Sequence, residues 1–92
     1  MIQSVPKETK ITGGEIRPFI ISEITRDGND RFIKDFESFS DAYYYLHQQF
    51  PYIINLGEED VNYSSPYGSR RIVYQADIGM DIYYCIWTKR KE

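Results

Sequence analysis

Phe39, Ala42, Tyr43, Leu46 and Phe50 recur at offsets of three, four, seven and eleven, and Pro51 follows at once. That spacing lays five side chains along one stripe of an α-helix. The proline next to the last of them ends it, because its ring lacks the N–H the next turn needs and clashes with the carbonyl one turn back. The stripe predicts one helix of about three turns. At its start Ser38-Phe39-Ser40-Asp41 fits a capping-box pattern. A hydroxyl from Ser38 or Ser40 satisfies an orphan amide there, and the acid favours the positive helix end.

On either side of the helix the pattern is that of strands. Residues 16–25 are rich in β-branched and aromatic side chains, with Pro18 suited to an edge or a strand start. Residues 26–30 supply turn chemistry through Asp27, Gly28, Asn29 and Asp30, and residues 31–37 run back, which predicts a hairpin. Residues 70–76 and 82–88 flank Asp77-Ile78-Gly79-Met80-Asp81 and predict a second hairpin. Its register follows from the side chains. Setting Ala76 against Ile82, Tyr74 against Tyr84 and Ile72 against Ile86 makes one face apolar, and Val73, Gln75, Tyr83, Cys85 and Trp87 fall on the other. Residues 52–56 fit either a short strand or a buried connection. Residues 57–69 are polar and breaker-rich, and a loop of that length in a compact domain is commonly functional or mobile, so they are a candidate contact surface. The expected fold is α+β, with two antiparallel hairpins in ββαββ order forming a sheet and the helix packed on one face. Residues 1–15 read as an N-terminal arm or irregular edge and 16–92 as one domain, without internal repeats.

Ninety-two residues allow one core, and 41% apolar and 27% charged side chains, with five Phe, nine Tyr and one Trp, are enough to fold it. A net charge of −3 is too small for an acidic tail and argues against a protein whose main task is coating phosphate backbones. The single cysteine, Cys85, excludes an intramolecular disulfide framework. No run of 18 apolar residues occurs and the first residues carry no apolar stretch. The expected setting is cytoplasmic, with no membrane insertion.

Several clusters invite a functional reading, and each has a plainer one beside it. In the second hairpin the register brings Arg70 and Arg71 beside Lys89, Arg90 and Lys91, five of the eleven basic residues, with Trp87 and Tyr67 near them. A basic end with a stacking aromatic suits single-stranded nucleic acid or an acidic protein; the plainer reading is a charged terminus that keeps an edge strand from aggregating. Glu58, Glu59 and Asp60 offer three carboxylates to a basic partner, although adjacent spacing is poor for chelation. Asp27, Asn29 and Asp30 resemble only a fragment of a calcium loop and read as turn residues. His47 lacks an identifiable nucleophile or orienting partner, and Cys85 sits mid-strand as a small inert thiol. Phosphate loops, paired metal-binding cysteines and serine elbows are missing from the sequence. No catalytic residue, metal or cofactor is expected.

Tyrosine is the most distinctive residue. Tyr43, Tyr44 and Tyr45 occupy consecutive helical positions spanning about 200° of arc, so at least one faces solvent. Exposed Tyr44, Tyr45, Tyr63 and Tyr67, together with Glu58, Glu59 and Asp60, make a candidate protein-recognition face, against the plainer view that tyrosines fill core edges. The leading expectation is a small non-enzymatic protein-binding or regulatory module of inhibitor or neutralising-partner type, with homodimerisation through a sheet edge as a variant. Nucleic-acid binding through Arg70, Arg71, Trp87, Lys89, Arg90 and Lys91 is the alternative. An enzyme of unfamiliar design built on His47, Asp35 or Glu37 ranks last.

Overall fold

A computed structural model describes residues 17–61 and 65–89, the last of them by its backbone. Five strands and one helix follow in the order β1 (Phe19–Ile24), β2 (Asp30–Phe36), α1 (Phe39–Gln49), β3 (Ile54–Asp60), β4 (Arg70–Gln75) and β5 (Tyr83–Lys89). They form one antiparallel sheet in the order β2-β1-β5-β4-β3. The two expected hairpins are β1–β2 and β4–β5, and they meet at the centre of the sheet through β1 and β5. The expected α+β class and the helix after the first hairpin are both present.

The register argued for the second hairpin is the observed one. Ile72 opposes Ile86, Val73 opposes Cys85 and Tyr74 opposes Tyr84, and the Ala76 amide donates to the Ile82 carbonyl at 2.9 Å. Residues 57–69 are not one long loop. Their first four continue β3, which pairs with β4 through Gly57↔Val73, Glu58↔Ile72, Glu59↔Arg71 and Asp60↔Arg70. Gly57 is why the sequence hid this strand. It sits at φ +113 beside a bulge, where Leu56 is the extra residue between the Asn55 and Gly57 pairings. A strand that turns there needs a glycine, and the glycine reads locally as a breaker.

Helix α1 is capped by Ser38, whose side chain accepts the Asp41 amide at 3.2 Å, so Ser38 rather than Ser40 is the cap. Ala42 and Leu46 are fully buried against Ile21, Tyr74 and Ile86. The helix packs chiefly on β1, β2 and β5, with Phe39 edge-on to Phe19 at 6.3 Å and Phe50 against Tyr84 at 5.0 Å. The two side chains flanking its buried line lean opposite ways. Tyr43 reaches Tyr74 on β4 at 5.9 Å, and Tyr45 reaches Phe36 on β2 at 5.4 Å.

The opposite face of the sheet is covered as well. Ile20, Cys85 and Trp87 are fully buried there, with Ile24, Phe32, Val61, Tyr67 and Val73 packed around them. The connection from β3 to β4 supplies part of that cover. Val61 and Tyr67 turn inward, Ser65 is buried, and the Val61 amide donates to the Ser69 carbonyl at 2.9 Å. Both sheet faces are thus used in folding, which explains how a chain this short buries a tryptophan completely.

Candidate functional site

The second core contains the most connected polar group among the described residues. Trp87 Nε1 donates to Ser22 Oγ at 2.9 Å, and Ser22 Oγ donates to Asp30 Oδ1 at 3.0 Å. Asp30 also accepts two bonds from Arg71 Nη1, each 3.0 Å, while Arg71 Nε donates to Glu59 at 2.7 Å. The Arg71 guanidinium lies 5.2 Å above the Trp87 ring. Arg71 stands on β4, Asp30 on β2 and Glu59 on β3, so one side chain ties both edge strands together. Three strand spacings in a flat sheet are about 14 Å, further than these side chains bridge, so the sheet coils around this face. Burial pushes the Cys85 thiol up to about 12, Arg71 opposing only in part. That thiol has no nucleophilic character at neutral pH.

This geometry corrects the nucleic-acid patch. Trp87, expected as a stacking platform, is fully buried, and Arg71 is buried between two carboxylates. Arg70 is exposed but pairs with Asp60 at 2.9 Å and Glu58 at 3.9 Å, which raises its pKa through the Asp60 hydrogen bond and both charges. Lys89 lies opposite Arg70 in the ladder. Arg90 and Lys91 fall outside the described residues, as do Tyr63 and the arm at 1–15. The physical reason is the strand pairing that sequence reasoning left open. Once β3 runs beside β4, Glu58, Glu59 and Asp60 meet the arginines that were expected to face a partner.

The candidate protein-binding residues do not converge on one face. Tyr44 stands away from the sheet, 65% exposed. Tyr45 is half-buried under Lys34, whose ammonium lies 5.6 Å from its ring. Tyr67 packs on Trp87 at 5.9 Å and Phe32 at 6.2 Å, and burial raises its pKa. It belongs to the second core rather than to a free loop. Glu58, Glu59 and Asp60 lie along the outer strand β3 and are engaged by Arg70 and Arg71.

Sequence reasoning missed four exposed apolar residues: Tyr52, Leu56, Ile78 and Met80, at 72%, 52%, 81% and 39% exposure. For Ile78 the signal was present, since an isoleucine within a short turn between two strands is out of place. Between the β1–β2 turn and the start of β5 lies an open depression of about 700 Å³, lined by Glu23, Thr25, Arg26, Asp81 and Tyr83 among others. Glu23 is engaged there by Arg31, and Asp81 accepts from the Tyr83 hydroxyl at 3.3 Å. His47 is exposed beside the Tyr43 ring at 5.6 Å. Among the described residues no three of His, Cys, Asp and Glu are grouped to hold a metal ion, and no helix is long and apolar enough to cross a membrane. Comparison of the chain with protein-family models, curated proteins and solved structures gave no match.

Proposed function

We propose that the chain is a non-enzymatic protein-binding module, of the small regulator, inhibitor or neutralising-partner type, acting in the cytoplasm. The observation that carries this reading is the pair of aromatic side chains on α1 and the turn after it. Tyr44 and Tyr52 are 65% and 72% exposed, and their side chains make no hydrogen bond or ring contact to any other described residue. Tyrosine gives large amphipathic contact area at low entropic cost, which suits it to the centre of a protein interface. Neither side chain packs into either core, so this aromatic area is open to a partner. Homodimerisation through a sheet edge is the homotypic form of the same reading.

The test is a comparison of the wild-type chain with the Y44A/Y52A double variant, by recovery of partner from lysate and then by titration of the recovered protein. Both sites are exposed, so the variant keeps the wild-type circular dichroism spectrum, and its affinity falls about tenfold or more. Equal affinity of variant and wild type overturns the reading.

A further inference from the structure

A turn between two strands normally carries Gly, Asn, Asp or Ser at its most solvated positions. Here the β4–β5 turn reads Asp77-Ile78-Gly79-Met80-Asp81, and Ile78, at 81%, is the most exposed large apolar side chain among the described residues; Met80 is 39% exposed. Nothing in the turn's conformation calls for them. Gly79 takes the positive φ of +78, and the Met80 amide donates to the Asp77 carbonyl at 3.2 Å. Asp77 Oδ1 accepts the Ile78 amide at 2.7 Å, and Gln75 Nε2 donates to the Met80 carbonyl at 2.7 Å. The backbone is closed on both sides of Ile78 while its side chain stands in water. A β-branched side chain on a fixed backbone has few rotamers to lose, so docking it costs little ordering entropy.

Charge separates this tip from the strands. Glu23, Asp35, Glu58, Glu59 and Asp60 all pair with arginines. Asp77 and Asp81, on either side of the apolar pair, form no ion pair with a described residue. We infer that the Ile78–Met80 tip is an anchor that inserts into an apolar pocket rimmed by lysine or arginine on a protein partner. The inference rests on the protein-binding reading above and names the chemistry of the partner's site. An anionic membrane surface is disfavoured by the two flanking carboxylates. The depression beside this turn is not such a pocket in a second copy, since its rim carries Glu23 and Asp81 with only Arg26 as a cation.

The experiment places a diazirine amino acid at position 78 of the full chain, with a matched one at the exposed helical Gln48, and irradiates both in lysate. Affinities of Ile78→Ser and of Asp77→Asn/Asp81→Asn for the crosslinked protein are then measured at low and high salt. Asparagine keeps the oxygen that accepts the Ile78 amide, so the turn survives. The expected result is one discrete product from position 78 and not from 48, mapped to a segment with apolar side chains and Lys or Arg. Ile78→Ser weakens binding about tenfold or more, and the double asparagine variant weakens it and flattens its salt dependence. The inference is overturned by no product above the position 48 control, by a mapped site without cations, or by wild-type affinity of Ile78→Ser. Ile78-dependent sedimentation with phosphatidylserine vesicles overturns it in favour of a membrane. Loss of binding in Y44A/Y52A with none in Ile78→Ser leaves the binding-module reading standing and removes this one alone.

Discussion

Arg71 shows how one residue's surroundings set its meaning. An arginine at a strand start next to another arginine reads as surface charge, yet here it is 9% exposed and holds Asp30 and Glu59 at once. Removing one partner of a buried ion pair leaves the other uncompensated, a loss that greatly exceeds the net worth of the pair. Arg71→Ala should therefore cost about 3 kcal/mol or more in urea unfolding. Glu59→Ala, at a carboxylate 48% exposed, should cost under about 1 kcal/mol. Equal effects would mean that Asp30 is not the partner that matters. The same core governs Trp87, whose indole finds its acceptor in Ser22 and whose upper face is covered by the guanidinium.

At the scale of elements, α1 was legible because each signal was local. The stripe, the Ser38 cap and the Pro51 stop all lie within about three turns of chain. The second hairpin was legible for the same reason, since a short turn and alternating side chains set its register without help from elsewhere. Strand β3 was not, because its sequence Ile-Asn-Leu-Gly-Glu-Glu-Asp has little strand preference of its own and pairs only through β4. Gly57 is the element's weak point. A Cβ there meets nothing within 4 Å, so Gly57→Ala tests backbone conformation alone, at φ +113. The expected loss is about 1 kcal/mol or more, read as a lower urea midpoint with an unchanged slope. A neutral or stabilising result would show that the bulge is not held in that conformation in solution.

Across the whole molecule, burial of weak acids in both cores sets a pH response. Burial, and then the neighbouring Tyr43, pushes Tyr74 on the helix side from 10.0 to about 12, and burial pushes Cys85 on the other side from 9.0 to about 12. In both the neutral form is the one that folding favours, so the folded values lie above the unfolded ones. Their contribution is complete below the unfolded values of 9.0 and 10.0 and is lost as pH rises towards about 12. Tyr67 and Tyr84 are raised in the same direction, also chiefly by burial. The urea midpoint should therefore fall through the alkaline range, and Tyr74→Phe should shallow that fall. A midpoint flat up to the folded values would contradict the burial of these groups.

The sequence by itself determined one helix with its buried stripe, two hairpins and the faces of the second, because all of these rest on periodicity and turn chemistry within a few neighbouring residues; the one core expected from chain length became two, one on each face of the sheet. Only the tertiary structure decided which surfaces are free. Pairing of β3 with β4 turned an acidic loop into an outer strand that neutralises Arg70 and Arg71. Coiling of the sheet then drew Trp87 and Tyr67 into a second core. Availability of a side chain depends on what the distant chain brings to it, and that is a sum over long-range contacts that no local pattern contains.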